Sequence, residues 1–305
     1  MGIDIKRLKL KNRIFAVTKI VLFAHVFNWL WRKREKRREV RANVVSVVIA
    51  DYFKRYLEST SKVEVKDPVK NDKNEKIYSI WFQGEENAPE LVKACFRSVR
   101  RNCSQEHLVL NDKTIFDYIE LPDVIVDKYR KGNIAKAHFA DISRVELLHN
   151  YGGFWMDATD FVSSPIPDNI IKEDFFMYMA GNAGSPYSFV QNCFIRSRKG
   201  SYLLEAWRAM ILEYWKNEPR EMDYFMHQLL FKSLVLNDKR AKKFFEKMPH
   251  IDQDPTHALW WAYNNKKFDK KIFDDITSKV FFQKLTYRGA SNPEKGTFAD
   301  VIINM

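Results

Sequence analysis

Cysteine is scarce in this sequence. Cys95, Cys103 and Cys193 are the only three. An odd count at those spacings matches no disulfide framework and no zinc-ligand pattern, so the thiols read as reduced, as in a cytosolic compartment. Glycine is sparse too, ten in 305 residues. No glycine-rich loop of the GxxxxGK[ST] kind occurs, which counts against P-loop phosphoryl transfer. The ten prolines are scattered and leave no low-complexity linker. No fixed repeat period is present, which removes solenoids and propellers. A clean membrane span is missing as well. The apolar stretch over 14–31, IFAVTKIVLFAHVFNWLW, is short for one and is broken by Lys19, His25 and Asn28. Basic residues flank it on both sides, without the asymmetry that orients a span, and no small-residue cleavage site follows it.

What is present is a core-forming composition and one basic terminus. Hydrophobic residues make up 46% of the chain and aromatics 14%, enough to bury a substantial core. The net charge is +12, but residues 1–41 hold thirteen Lys and Arg against three Asp and Glu, a net of +10. The other 264 residues carry 38 basic against 36 acidic, a net of +2. Basicity confined to one segment argues against a nucleic-acid-binding body, and no nucleic-acid partner is expected. The pattern KRLKLKNR, an aromatic-rich apolar stretch, then WRKREKRREVR fits a helix lying in an anionic membrane interface through residues 6–41. A helix packed on the body is the other reading of it. Asn43 to Leu57 is amphipathic and helical in pattern. The expected organisation is a basic helical extension over 1–60, a polar linker over 61–75 and one catalytic domain over 76–305.

From Lys76 onward strands and helices alternate. KIYSIWF suits a buried first strand. Pro89 opens a helix that runs to about Asn102, HLVL over 107–110 is a second strand, and 112–120 reads as a further helix. This alternation predicts an α/β domain with a mostly parallel sheet, whose ligands sit at the carboxyl ends of the strands. Trp81, Gln83 and Gly84 lie at one such end.

The most informative stretch is NIAKAHFADISRVELLHNYGGFWMDATDFVSS, 133–164. It reads as a helix, a Gly152-Gly153 turn, a short buried strand and two acids, Asp157 and Asp160, at its exit. Asp141 and Arg144 are three apart on the helix and share a face. Spacing alone allows either an exposed ion pair or a site pair. Carboxylates at a strand exit suit Mg²⁺ or Mn²⁺ against phosphate oxygens. Later, FVQNCFI over 189–195 reads as a strand carrying Asn192, and VFFQKLTYRG over 280–289 as a strand presenting Lys284 and Arg288. His227 on an aromatic helix, and Trp260, Trp261 and Tyr263, read either as core or as acceptor-side groups.

Three blocks carry a resemblance: IYSIWFQGEENAPELVKAC (77–95), HFADISRVELLHNYGGFWMDATDFVSSPI (138–166) and KLTYRG (284–289). Together they resemble the capsular polysaccharide synthesis family of bacterial glycosyltransferases, which is similar to glycosyltransferase family 32. The resemblance implies a GT-A fold, a nucleotide-binding sheet flanked by helices, and transfer of a sugar from a nucleotide-sugar donor, a UDP-sugar by preference. The implied acceptor is a saccharide, lipid-linked at the cytoplasmic face of the membrane. Trp81 matches the aromatic that stacks on the base. Asp141 and Arg144 match the pair that contacts the donor's sugar and ribose-phosphate. Asp157 matches the first acid of the DXD motif. Thr159 stands where the second acid belongs, and Asp160 follows one position later as the candidate second metal ligand. The resemblance also implies retention of anomeric configuration. A scaffold, or a nucleic-acid- or membrane-binding protein, built on a catalytically degenerate form of the same fold is the competing expectation.

Overall fold

A computed structural model describes residues 34–70, 75–180, 187–263, 266–288 and 292–305, with the side chains of 34–43 and Trp261 excepted. The apolar stretch over 14–31 lies outside the described residues, as do Gly289 and the basic residues before Arg34.

The five-stranded central sheet has the order β2-β1-β3-β6-β5. It is built from β1 (Ile77–Ile80), β2 (His107–Leu110), β3 (Gly153–Met156), β5 (Phe175–Met179) and β6 (Val190–Ser197). β1 pairs parallel with both β2 and β3, whereas β6 runs antiparallel to β3 and to β5. Four strands therefore point one way and β6 points back. β1 and β3 are buried at every position. Burial on both faces is why they read as continuous apolar runs rather than as alternating ones.

The crossover from β1 to β2 is α2 (Glu90–Asn102), entered at Pro89, whose Leu91, Val92, Cys95, Phe96 and Val99 are buried. After β2 the chain does not form the helix expected over 112–120. Asn111 Oδ1 accepts the backbone N–H groups of Lys113 and Thr114, and only a 3-10 turn, Thr114–Asp117, follows. The same pattern caps helices elsewhere in the chain, at Asp238 and Asp269, but here the helix stops after this one turn. α3 (Asp123–Arg130) leads to α4 (Lys136–Tyr151), which packs against β1, β3 and α6 (Tyr202–Asn217).

The Gly152-Gly153 turn delivers the chain from α4 into β3. Both residues have positive φ, +67° and +100°. A Cβ on Gly153 would stand 2.4 Å from the Lys76 carbonyl oxygen, so strand β1 can approach only a glycine here.

α1 (Arg34–Phe53) packs against α7 (Met226–Asn237) and sends Ile49 and Phe53 into the main core, where Phe53 meets Tyr214 edge to face at 5.6 Å. The second half of the N-terminal extension is thus seated on the body. Beyond it the chain runs without regular structure over 63–70, tied to the body by Val69 N–H to the Lys199 carbonyl.

A second, two-stranded antiparallel sheet pairs β4 (Asp160–Val162) with β7 (Phe282–Lys284). Its register sets Asp160 opposite Lys284, Phe161 opposite Gln283 and Val162 opposite Phe282. A smaller core gathers beside it from α2, β4, α9 (Asp254–Tyr263) and α11 (Phe298–Ile303), with Leu91, Phe161, Leu259, Tyr263 and Phe298.

Candidate active site

A cavity of about 520 Å³ opens where β1 and β3 end and the antiparallel β6 begins. Trp81, Phe82 and Gln83 come from the exit of β1, and Asp157, Ala158 and Thr159 from the exit of β3. Lys136, His138, Asp141 and Arg144 come from the first half of α4. Asn192, Gln228, Lys284 and Tyr287 close the other side. The strand ends of an α/β sheet are where its ligands bind, and a volume of this size suits a small organic ligand.

Asp141 and Arg144 are not an exposed ion pair. Both are buried, and Arg144 Nη2 lies 2.9 Å from Asp141 Oδ1. The same oxygen accepts from Asn192 Nδ2 at 3.0 Å, and Asn192 Oδ1 accepts in turn from Gln228 Nε2 at 3.0 Å. Arg144 Nη1 donates to the Asn192 carbonyl, and its guanidinium lies 4.9 Å from the Trp155 ring centroid. Burial alone would raise the Asp141 carboxyl, but Arg144 and the neighbouring histidines outweigh it and hold it down at about 2. Asp141 is a carboxylate at any physiological pH, held by a chain of three side chains.

Asp157 is saturated from both sides. Its Oδ1 accepts from Trp155 Nε1 at 2.8 Å and lies 3.3 Å from Arg144 Nη2. Its Oδ2 accepts from Lys284 Nζ at 2.6 Å. Against the cost of burial, Lys284 and Arg144 hold its carboxyl below the ordinary range. Asp160 behaves differently. It is fully buried, its Oδ2 accepts the backbone N–H of Asp157 at 3.1 Å, and its Oδ1 lies 3.6 Å from Lys284 Nζ without a hydrogen bond. Burial pushes its carboxyl up to about 8, Lys284 pulling down against it and the Asp157 charge adding to the rise. The two acids expected as a pair thus differ in kind, one open to the cavity and one closed behind it. Burial lowers the Lys284 ammonium, and the two carboxylates more than reverse this.

The structure brings Trp81, Gln83, Asp141, Arg144, Asp157, Asn192 and Lys284 to one cavity. Gly84 lies just past it in a positive-φ turn, its N–H on the Trp81 carbonyl. Arg288 is exposed and does not line the cavity. β7 stops at Lys284, so the strand alternation that grouped Lys284 with Arg288 ends before it reaches Arg288. His227 is fully buried and Tyr263 belongs to the smaller core.

Sequence reasoning missed Lys136, Gln228, Tyr224 and Tyr287. Tyr287 packs edge to face on Trp81 at 5.3 Å and lies inside KLTYRG. Gln228 follows His227 on α7, and a turn of about 100° per residue sends one to the core and the other to the cavity.

The expected divalent ion meets an awkward donor set. Among the described residues no three His, Cys, Asp or Glu side chains gather to hold a metal. Asp157 is the one acid of the DATD run that lines the cavity, and Lys284 occupies its outer oxygen. As arranged, these residues leave no free carboxylate for a Mg²⁺ or Mn²⁺, which binds through one or two carboxylates with water and substrate phosphates, because Arg144 and Lys284 already engage Asp141 and Asp157.

The chain belongs to the capsular polysaccharide synthesis protein family, whose model matches residues 28–302. It is 22% identical over 267 residues to glycosyltransferase afumC of Aspergillus fumigatus (strain CBS 144.89 / FGSC A1163 / CEA10), covering 74% of this chain and 66% of that one. It is 25% identical over 185 residues to O-glycosyltransferase braB of Annulohypoxylon truncatum, covering 55% of this chain and 44% of that one. The chain therefore spans less than two thirds of the length of these relatives. Among solved structures, the PaToxG glycosyltransferase is similar with a TM-score of 0.40 at 12% identity, over 68% of this chain and 83% of that one. That likeness is too loose to assign the fold.

Proposed function

We propose that this protein is a GT-A-type glycosyltransferase that moves a sugar from a nucleotide donor, a UDP-sugar, to a saccharide acceptor in cell-surface polysaccharide synthesis. The observation that carries this is the cavity at the strand ends. One wall is Trp81, and its floor holds Asp157 between two cations, Arg144 and Lys284. A leaving nucleoside diphosphate gains negative charge as the glycosidic bond breaks, and fixed cations in a recessed site stabilise it. Trp81 offers the face on which the base stacks. The Asp141–Arg144 pair, braced by Asn192 and Gln228, orients the donor's sugar and ribose-phosphate. Gln228 Oε1 is buried and unpartnered, and a sugar hydroxyl supplies the donor it lacks.

The transfer retains configuration by front-face attack. The acceptor oxygen bonds to the anomeric carbon on the side the phosphate leaves, and its proton passes to the departing phosphate oxygen. The two carboxylates that line the cavity, Asp141 and Asp157, are both held in ion pairs with Arg144, so neither is assigned as the nucleophile of a double displacement. The acceptor is carried on lipid, and residues 6–41 hold the enzyme peripherally at the cytoplasmic membrane face. No helix among the described residues is long and apolar enough to cross a membrane.

A thermal-shift screen of sugar nucleotides tests the reading, because a ligand at a hundred times its Kd stabilises by about 2.7 kcal/mol. A rise in Tm with one uridine sugar nucleotide, absent in Trp81→Ala, is the expected result. No shift with any of them overturns it.

A further inference from the structure

We propose that the Lys284 ammonium takes the place of the divalent cation at the leaving diphosphate, so that this enzyme works without metal. The inference rests on the glycosyl-transfer reading above and goes past it, because the family resemblance leads to the opposite expectation.

Lys284 is not a surface lysine that happens to reach an acid. The β4–β7 register sets it directly opposite Asp160, and directly opposed residues of an antiparallel pair share a face. The next rung fixes the register further, because Leu285 N–H donates to the Thr159 carbonyl at 2.9 Å. The side chain is 17% exposed. Its nitrogen lies 2.6 Å from Asp157 Oδ2 and 3.6 Å from Asp160 Oδ1. One ammonium thus lies within ion-pair reach of both acids of the DATD run.

The other ligands an ion needs are spoken for. Position 159, two after Asp157, is a threonine, and its carbonyl is committed to Leu285. Asp160 is closed off behind Asp157, to whose N–H it is bonded. Asp157 Oδ1 is taken by Trp155 and faces Arg144. Seating a divalent ion on Asp157 means first displacing the ammonium that already neutralises it at 2.6 Å.

The ammonium has what the chemistry requires. It carries three donors and no acceptor. One is used on Asp157, which leaves two that a diphosphate arriving in the cavity can accept. Lysine binds phosphate as a point charge, and Arg144 adds a planar fork beside it. In the transfer, the bond from the anomeric carbon to the phosphate oxygen breaks with its electron pair going to the diphosphate. The acceptor hydroxyl oxygen bonds to that carbon, and its proton ends on the released phosphate. Lys284 keeps its protons throughout and offsets the charge that appears on the diphosphate.

The test uses the full chain. Release of nucleoside diphosphate from the sugar nucleotide found by the screen is measured in excess EDTA and in Mn²⁺, and binding of Mn²⁺ alone is followed by its EPR signal. Rates equal within about twofold, with no Mn²⁺ taken up, are expected, since the charge is already supplied. A loss in EDTA that Mn²⁺ restores overturns the proposal and leaves glycosyl transfer standing. Release under neither condition overturns both. Lys284→Met should lower the EDTA rate at least about 100-fold, the scale of losing one preorganised charge donor, and should also lower Tm, because Asp157 loses its buried partner. Lys284→Arg should keep most of the rate. A Lys284→Met enzyme as fast as wild type overturns the proposal. Should that variant fail to fold, the wild-type EDTA and EPR results decide alone.

Discussion

At the scale of the residue, the site is organised by which groups are allowed to carry charge. Asp141 is ionised because Arg144 and Asn192 hold it. His227, immediately before Gln228, has both ring nitrogens buried without a hydrogen bond, and burial lowers it to about 3. His107 is lowered to about 3 by burial as well. A histidine lowered on folding is neutral in the native state while the unfolded chain binds a proton. Stability is then complete above the ordinary histidine range near 6.5 and is lost as pH falls from there toward 3. Denaturant unfolding at pH 7 and at about pH 4 should show this loss, with a slope of up to about 1.4 kcal/mol per pH unit for each histidine. His227→Leu should reduce the slope. An unchanged slope in that variant means His227 is charged in the fold. Asp141 acts lower down, since its stabilisation is present above the ordinary aspartate range and fades only as pH falls through about 2.

At the scale of the element, the sequence was legible where local pattern decides the structure. β1, α2, β2, α4, the Gly152-Gly153 turn and β3 all follow from apolar runs and their punctuation. The expected helix over 112–120 is only a 3-10 turn, Thr114–Asp117, although Asn111 accepts the same pair of backbone N–H groups by which Asp238 and Asp269 cap full helices. Lys284 could be named as a candidate cation, but its partners could not be read. They depend on a strand pairing between residues some 120 positions apart, and only the register shows that Asp160 and Lys284 face each other. Arg288 shows the reverse error, an alternation carried past the end of its strand. The tight approach of β1 to Gly153 gives a contrast to measure. Gly153→Ala forces a Cβ against the Lys76 carbonyl as well as a strained φ, and should cost at least about 3 kcal/mol. Gly132, at φ +73° with nothing within 4 Å of its Cβ position, should lose only about 1 kcal/mol as alanine. Equal denaturant midpoints for the two variants would remove close packing as the reason for the glycine.

At the scale of the whole molecule, a nearly neutral catalytic body carries a strongly basic terminus. α1 fastens that terminus to the body through Ile49 and Phe53, beside α7, which also contributes Gln228 to the cavity. Were the terminus bound to a membrane, as proposed, α1 would tether the cavity-bearing body to that surface. Truncation before Arg34 removes eight of the thirteen basic residues of 1–41 and leaves α1 intact. The full chain should float with vesicles containing anionic lipid, more weakly at high salt because each basic group near such a surface contributes about 1 kcal/mol. The truncated chain should stay in solution and still release nucleotide from a soluble donor. Equal flotation of both chains would move the membrane contact elsewhere.

The central claim is that the strand-end cavity binds a sugar nucleotide and transfers its sugar. Steady-state release of nucleoside diphosphate from a panel of sugar nucleotides, by wild type, Trp81→Ala and Asp141→Asn, tests it most directly. The account predicts turnover of one donor by the wild type, a raised KM with nearly unchanged kcat in Trp81→Ala, and a kcat lowered about 100-fold in Asp141→Asn. Turnover by both variants at the wild-type rate and KM, or none by the wild type with any donor, would contradict it.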